Sequence, residues 1–250
     1  MRLQNKTIIV TGASSGIGEA AAGIFAAEGA NVVLGARREE RLQAIAARIR
    51  GAGGRAVHLA GDVEEEGFAK DLVGLAVSEF GGLDGAFNNA GTVGELGPVV
   101  ETTTENWNTV LTTNLTSAFF AARHQIPAMK IKGGGSLVFT SSFVGHTIGF
   151  PGMGAYAAAK AGLIGLTQVL AVEHGADGIR ANAVLPGGTK TAMAPQDADT
   201  RAFISGLHAL KRMAEPAEIA RAALFLLSDD ASFVTGTAML ADGGNSICKT

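Results

Sequence analysis

The sequence predicts an α/β fold made of a single domain, a doubly wound parallel sheet of about seven strands with helices on both faces. Strand-like runs alternate with helical stretches along all 250 residues. Several runs, such as LDGAF and ANAVL, are continuously apolar, which is typical of parallel strands buried on both faces. A length of 250 residues suits one large domain. We therefore expect residues 1–250 to form one domain with strands at 6–11, 31–36, 55–60, 83–88, 135–141, 179–184 and 236–241.

The first strand leads into a glycine-rich loop, TGASSGIG. Lys6–Val10 is rich in β-branched residues, and Ile17–Glu28 is rich in alanine without proline, so the loop separates a strand from a helix. Backbone N–H groups at a helix N-terminus attract phosphate oxygens. Gly12 permits the turn, Gly16 lets the backbone approach a pyrophosphate, and Gly18 lets the helix pack closely. This order predicts a Rossmann-type dinucleotide site, although the spacing is G-x-x-x-G-x-G and a turn without a ligand is the alternative.

The end of the second strand indicates which dinucleotide fits. An NAD site usually carries an acidic residue here, which binds the ribose 2′-hydroxyl. In this chain Ala36 ends the strand, and Arg37 and Arg38 follow it. Two guanidinium groups suit a 2′-phosphate, so we expect NADP(H) rather than NAD(H). The alternative places both arginines in solvent at the start of the next helix, paired with Glu39 or Glu40.

A second cluster lies far along the chain. Tyr156 and Lys160 are four residues apart in the helical stretch GAYAAAKAGLIGLTQVLAVE, so they share one face. A free phenol titrates near pH 10 and is a poor acid at neutral pH. A neighbouring ammonium, helped by a positive nicotinamide, lowers the phenol pKa. The pair predicts a general acid or base, while an amphipathic tyrosine beside an exposed lysine is the alternative.

In their order along the chain, these motifs resemble the short-chain dehydrogenase/reductase family of the type often called classical, and within it the 3-oxoacyl-carrier-protein reductases. The resemblance covers nearly the whole chain. Besides the glycine loop and the Tyr156–Lys160 pair it rests on Asp62-Val63, Asn88-Asn89-Ala90-Gly91, Asn114, Ser142, Pro186-Gly187 and Asp242-Gly243-Gly244.

The resemblance implies a role for each residue. Tyr156 is expected to be the general acid in reduction and the base in oxidation. Lys160 would lower the pKa of that tyrosine and hold the nicotinamide ribose, and Ser142 would polarise the substrate carbonyl. Asn114 would hold a water that links Lys160 to solvent. Together with Tyr156 and Lys160, the expected cofactor-binding residues are Gly12, Ser14, Ser15, Gly16, Ile17, Gly18, Arg37, Arg38, Asp62, Val63, Asn89, Ala90, Gly91, Pro186, Gly187, Thr189 and Thr191.

One spacing departs from the family pattern. Ser142 lies 14 residues before Tyr156 rather than the usual 13. Ser141 is therefore an alternative, but only Ser142 fits an S-x-x-G frame with Gly145. We expect the loop at 146–151 to absorb the extra residue.

Substrate choice is expected to depend on a lid at roughly 188–213 and on the loops at 92–98 and 143–155. Phe143 and His146 lie where they would touch a substrate, although a loop histidine that bonds backbone is an equal alternative for the latter. Two further groups have open interpretations. An apolar wall or plain core is predicted for Phe150, Met153 and Phe203, and an anion site or a solvated face for Lys190, Arg201, Lys211 and Arg212.

Composition narrows the function classes. The formal net charge of −3, with signs interspersed, predicts no nucleic-acid partner. The single Cys248 excludes an intrachain disulfide and suits a reducing cytoplasm. The N-terminus lacks an apolar signal region, so we expect a cytoplasmic protein without a membrane partner. The five histidines lack metal-ligand spacing, so no metal is expected.

The sequence thus predicts an NADP(H)-dependent oxidoreductase that interconverts a small-molecule ketone and a secondary alcohol. An NAD-dependent alcohol or sugar dehydrogenase is the alternative enzyme, and a non-catalytic dinucleotide-binding regulator is the rival of another class. The family resemblance implies a homotetramer. The helical runs 106–131 and 153–175 expose few charges, which suits a subunit interface, although packing on the sheet competes as an explanation.

Overall fold

The computed structural model describes residues 1–248 and contains one seven-stranded parallel sheet. The strand order is β3-β2-β1-β4-β5-β6-β7, so the chain winds outward from β1 in one direction and from β4 in the other. This confirms the doubly wound α/β prediction. The strands are β1 (Thr7–Thr11), β2 (Asn31–Ala36), β3 (Arg55–Ala60), β4 (Gly85–Asn88), β5 (Gly135–Thr140), β6 (Ile179–Pro186) and β7 (Ala238–Ala241).

Helices cover both faces of this sheet. One hydrophobic core lies under α1, α2 and α8, and a second lies under α3, α5 and α6 on the opposite face. β1 is buried along its whole length because both layers cover it. The helices are α1 (Gly16–Ala27), α2 (Glu39–Gly51), α3 (Glu66–Phe80), α4 (Thr104–Leu111), α5 (Ser117–Lys132), α6 (Gly154–His174), α7 (Ala198–Leu207) and α8 (Pro216–Leu227).

The helical run expected at 106–131 is not one regular helix. A π-helical segment, Thr112–Thr116, separates α4 from α5 and contains the buried Asn114. Such π turns interrupt the regular backbone ladder and occur often at functional sites. Hydrophobic periodicity cannot predict this interruption, because one extra residue per turn leaves the composition of the segment helical.

Helix α6 and the turn that follows it, Gly154–Asp177, are long and apolar enough to cross a membrane by length and composition alone. The helix packs against β6 and contributes Leu163 and Leu170 to the core. Its apolar character therefore has an explanation in the packing of the domain.

The sheet topology places a crevice between β1 and β4. These neighbouring strands lead to connections that pass over opposite faces, which leaves room at their carboxyl ends. Ligands of open α/β sheets bind at this switch point. The loops after β1, β4, β5 and β6 all end there, and each contains a motif that the sequence singled out.

Candidate active site

A cleft of about 700 Å³ opens at the carboxyl ends of the strands and contains nearly every site residue predicted from sequence. It brings the glycine loop and the Ser142, Tyr156 and Lys160 side chains into one site. Gly18 is the exception, because it lies below the loop instead of lining the cleft. A Cβ atom on Gly18 would overlap the carbonyl oxygen of Gly12, so this glycine lets α1 pack against the loop.

The glycine loop has the geometry of a phosphate cradle. Gly12 and Gly16 have φ angles of +65° and +57°, which side chains other than glycine rarely adopt. A Cβ atom on Gly12 would also lie 3.0 Å from the Cα atom of Ala90. Helix α1 begins after Ser15 with no side-chain cap, so its first N–H groups remain available to a ligand. The loop therefore fits the pyrophosphate of a dinucleotide.

The two arginines after β2 differ in their contacts. The Arg38 guanidinium donates to the Ser14 hydroxyl at 3.0 Å and to the Ser15 hydroxyl at 2.7 Å, which fixes it against the glycine loop. Arg37 is 79% exposed and lies 3.7 Å from the Asp62 carboxylate. The alternative pairing with Glu39 or Glu40 is not observed, and Glu39 instead contacts His58 at 2.8 Å.

Thr11 at the end of β1 organises the floor of the cleft, and sequence reasoning missed it. Its hydroxyl accepts hydrogen bonds from the backbone N–H groups of Asn89 and Ala90, at 3.0 and 3.2 Å. The Asn89 side chain in turn donates to the Thr11 carbonyl and accepts from the Thr140 hydroxyl. Polar residues at adjoining strand ends were the available signal, because parallel strands end at one edge of the sheet.

The structure distinguishes the two serines after β5. The Ser142 hydroxyl accepts from the Val144 backbone N–H group at 3.1 Å and acts to lower the pKa of the neighbouring Tyr156 phenol. The Ser141 hydroxyl instead donates to the Lys160 carbonyl oxygen at 2.7 Å. Ser142 is therefore the serine whose hydroxyl accompanies the phenol, and Ser141 anchors α6.

Lys160 is buried, with 3% of its surface exposed. Its Nζ atom donates to the Thr140 carbonyl at 2.7 Å and lies 5.6 Å from the centroid of the Tyr156 ring. No carboxylate pairs with it in the part of the chain that the structure describes. A buried ammonium without a counter-ion is costly, which makes this lysine a candidate for function.

Burial shifts the pKa values of both Lys160 and Tyr156. It lowers the pKa of Lys160 to about 7, because the charged ammonium is desolvated. It raises the pKa of Tyr156 above its ordinary value, and the hydrogen bond from Ser142 only partly opposes this. Burial of the phenol thus has a larger effect on the pKa of Tyr156 than the Ser142 hydroxyl has. The expectation that Lys160, helped by a positive nicotinamide, lowers the tyrosine pKa stays a prediction.

Asn114 and Gly91 complete the site beside Lys160. The Asn114 amide donates to the carbonyl oxygens of Thr92 and Val110, both at 2.8 Å, and accepts from the Thr92 N–H group. A Cβ atom on Gly91 would lie 2.7 Å from Asn114 Oδ1 and 3.3 Å from Lys160 Nζ. Only a glycine leaves the space in which these two polar groups approach each other.

The two ends of the segment after β6 are hydrogen-bonded to each other, near Gly188 and Ala214. The Ala214 N–H group donates to the Gly188 carbonyl at 2.8 Å, and the Lys190 N–H group donates to the Ala214 carbonyl at 2.9 Å. His208 is buried at the end of α7, where Nδ1 contacts the Ile204 carbonyl at 2.7 Å and Nε2 accepts from the Gly188 N–H group at 3.0 Å. The intervening segment, which includes α7, borders the cleft.

The two ends of the cleft differ in chemistry. The polar end comprises the glycine loop and the residues after β2 and β3, and it carries Arg37, Arg38, Asp62 and Glu64. The apolar end comprises the residues after β5 and β6. Its large side chains are those of Phe143, Phe150, Met153, Met193 and Phe203. At 63% exposure, Phe203 lies at the surface of the cleft rather than in the core.

His146 does not line the cleft. Its side chain is exposed, and its backbone N–H group donates to the Phe143 carbonyl in the turn after β5. The expectation of a substrate contact is therefore wrong for His146. The turn itself, closed by a bridge between Val144 and Ile148, accommodates the additional residue between Ser142 and Tyr156.

The cleft fits an extended dinucleotide. From β3 to β6 the edge of the sheet covers five strand spacings of about 4.8 Å, or roughly 24 Å. Arg37 and Arg38 follow β2 near one end of this span, the glycine cradle follows β1 near its middle, and Ser142 follows β5 near the other end. No group of three or more His, Cys, Asp or Glu side chains within residues 1–248 is arranged to hold a metal ion.

Comparisons with known proteins agree with this geometry. A family model described as enoyl-(acyl carrier protein) reductase matches residues 12–246. A 2,5-dichloro-2,5-cyclohexadiene-1,4-diol dehydrogenase of Sphingobium indicum is 41% identical over 97% of each chain. A cyclohexanol dehydrogenase of Acinetobacter sp. is 39% identical, over 97% of this chain and 95% of that one. The crystal structure of levodione reductase superposes with a TM-score of 0.95 at 34% identity, covering 99% of this chain and 100% of that chain.

Each of these matches covers nearly the whole chain, and the fold and the motifs agree with them. The protein is an oxidoreductase of a family that acts on alcohols or ketones and binds a nicotinamide dinucleotide. It belongs to the short-chain dehydrogenase/reductase family.

Proposed function

We propose that this protein is an NADP(H)-dependent oxidoreductase that interconverts a ketone and a secondary alcohol, with Tyr156 as the general acid and base. One observation carries the proposal. The Ser142, Tyr156 and Lys160 side chains share a cleft with a glycine loop against which Arg38 is fixed. A bound nicotinamide would supply the hydride in reduction and accept it in oxidation.

The side chains of the cleft transfer the proton and stabilise the charge that develops on the substrate oxygen. In reduction, Ser142 donates a hydrogen bond to the carbonyl oxygen, and the Tyr156 hydroxyl transfers its proton to that oxygen. In oxidation, Tyr156 takes the proton from the alcohol. The Lys160 ammonium, 5.6 Å from the ring centroid, favours the tyrosinate formed after proton transfer. Asn114 has used both amide hydrogens, so its Oδ1 atom is the position at which a relay water would bind.

The choice of NADP(H) rests on the residues after β2. Arg38 is held beside two serine hydroxyls at the rim of the glycine loop, and no acidic residue occupies the end of that strand. A guanidinium with hydroxyl neighbours suits a phosphate better than a ribose hydroxyl. An NAD-dependent dehydrogenase remains the second candidate, because Arg38 is also satisfied by the serines alone.

The relatives suggest the substrate. Two of them are named for cyclohexanol and for a substituted cyclohexadienediol. We therefore propose a secondary alcohol on a six-membered carbocycle, or the matching ketone. Segment 188–213, tied at its ends and containing α7, would be the lid that closes over it.

We also propose a homotetramer in the cytoplasm. Trp107 and Phe119, on α4 and α5, and Val172 on α6 expose apolar side chains that a neighbouring subunit would cover. Sedimentation of the purified protein tests the assembly. Substitution of Phe119 by Asp would dissociate it if α5 lies at the interface, whereas unchanged sedimentation would exclude that helix.

Fluorescence titration with NADPH and, separately, NADH tests the cofactor assignment. We expect NADPH to bind at least tenfold more tightly. Equal or tighter binding of NADH would reject the NADP(H) assignment, and binding of neither would reject the dinucleotide site. Reduction of cyclohexanone with NADPH, followed at 340 nm, then tests the reaction.

A further inference from the structure

The apolar end of the cleft is lined by large apolar side chains, of which Phe143 is buried and Met193 and Phe203 are exposed. Phe143 and Phe150 pack edge to face, with ring centroids 6.1 Å apart. Met193 and Phe203 are 52% and 63% exposed although both are large and apolar. Side chains of this kind at the surface of a cleft are covered when an apolar ligand binds.

Charged groups in the cleft lie away from this wall. Arg37, Arg38, Asp62 and Glu64 belong to the polar end, and β2 is three strands from β5, about 15 Å along the sheet edge. Lys160 is the other charged residue that lines the cleft. Its Nζ atom donates a hydrogen bond to the Thr140 carbonyl and is buried beside Tyr156.

The four cationic residues of segment 188–213 are engaged elsewhere. Lys190 is paired with Glu215, and Arg212 makes two hydrogen bonds of 2.7 Å to Glu218. None of the four lines the cleft. The other two bind the segment itself, Arg201 through the Pro195 carbonyl and Gln196, and Lys211 through the Gly206 carbonyl.

We infer that the apolar end accepts an uncharged, mainly hydrocarbon ketone or alcohol and discriminates against a carboxylated one. This inference rests on the proposed function and narrows its substrate class. A carboxylate pressed against Phe143, Phe150 and Phe203 would lose its water without gaining a cationic partner, and desolvation of an unpaired charge is strongly unfavourable. The contacts of the four cationic residues correspondingly favour the solvated face over the anion site.

Two ketones that differ only in the charged group provide the test. The protein is saturated with NADP⁺, or with NAD⁺ where NADP⁺ does not bind, and titrated calorimetrically with cyclohexanone or with 4-oxocyclohexanecarboxylate. A ketone with oxidised cofactor undergoes no turnover, so the titration reports binding alone. We expect cyclohexanone to bind at least 100-fold more tightly than the carboxylate.

A charge introduced into the wall sharpens the test. Phe203→Arg is expected to reduce the binding ratio at least tenfold by providing a partner for the carboxylate. Leu210→Arg is the matched control, because Leu210 is equally exposed, at 63%, but does not line the cleft. The control should leave the ratio unchanged.

The outcomes separate the inference from the proposed function. A wild-type ratio below tenfold, tighter binding of the carboxylate, or binding of neither ketone overturns the inference. Equal effects of Phe203→Arg and Leu210→Arg overturn the assignment of the wall. Selective binding of cyclohexanone without its reduction by NADPH or NADH supports the inference and overturns the proposed ketone reaction.

Discussion

The polar and apolar ends of the cleft are built in different ways. At the polar end, backbone conformation determines the site, because Gly12 and Gly16 adopt φ angles that place N–H groups where a phosphate binds. At the apolar end, side chains from the loop 143–153 and from the segment 191–213, which contains α7, form the wall. The residues that form the polar end lie in one contiguous sequence motif. The lining of the apolar end depends on which segments the fold brings together, so its side chains are free to differ between proteins of the same fold.

The largest effect is expected where the two ends meet, at Tyr156. Replacing it with Phe removes the proton donor but keeps the ring, so we expect kcat to fall by about 10²- to 10⁴-fold. Cofactor affinity should change little. Steady-state kinetics and a fluorescence titration on the same preparation check both statements. Retention of more than a tenth of the wild-type rate would reject Tyr156 as the acid.

Gly91→Ala tests whether the site beside Tyr156 needs the space that a glycine leaves between Asn114 and Lys160. The added methyl group would press on Asn114 Oδ1 and Lys160 Nζ, so we expect kcat to fall by at least tenfold. Gly97→Ala is the control, because a Cβ atom on Gly97 has no neighbour within 4 Å. Equal activity of the two variants would show that Asn114 and Lys160 tolerate displacement.

The polar end is tested by its two arginines. A hydrogen bond to a charged group contributes about 1.5–3 kcal/mol, so loss of Arg38 should weaken NADPH binding by about 10- to 150-fold. Arg37→Ala should have a smaller effect, because the Arg37 side chain lies beside Asp62 and makes no hydrogen bond to the glycine loop. NADH affinity should remain within a few-fold in both variants. A larger loss from Arg37→Ala would assign the phosphate to that residue instead.

The last prediction concerns stability rather than activity or binding. The pKa of Lys160 is about 7 in the folded protein and 10.5 in the unfolded chain, so unfolding takes up a proton between these values and stability rises with pH. Lys160→Met removes this dependence. We expect the gain in the free energy of unfolding on going from wild type to Lys160→Met to be larger at pH 6.5 than at pH 9.5, by up to about 3 kcal/mol. Urea unfolding at the two pH values measures this gain.

Lys132→Met is the control for this measurement, because Lys132 is exposed at the end of α5. Its effect on the free energy of unfolding should be the same at both pH values. A pH-independent effect of Lys160→Met would mean that the buried lysine keeps its ordinary pKa through contacts with water.

The sequence allowed prediction of the fold and of most of the residues in the cleft, since each depends on local patterns. Apolar runs predict buried parallel strands, and glycine positions predict a phosphate loop. Two hydrogen bonds of Lys160 were beyond such reasoning, the one that its carbonyl accepts from Ser141 and the one that its Nζ atom donates to the Thr140 carbonyl. Each joins residues about 20 positions apart through a backbone atom. The rise in the Tyr156 pKa was missed for a similar reason, since burial depends on the whole fold.

The wall of the apolar end was only an open alternative at the level of sequence. Phe150, Met153 and Phe203 have the composition of core residues, and only the path of the chain decides that they border a cleft. The same holds for Arg212, whose pairing with Glu218 depends on how the segment before α8 folds back.

His208 has a consequence for how α7 and the cofactor side of the cleft move. A carbonyl only accepts, so the contact with Ile204 requires the ring proton on Nδ1, and Nε2 is then the acceptor for Gly188. The ring thereby couples α7 to the backbone that follows β6. If α7 swings outward, it must either break this bond or pull Gly188 with it, and either movement disturbs the cofactor side of the cleft. The position of α7 over the substrate and the backbone beside the cofactor are therefore coupled through this one ring.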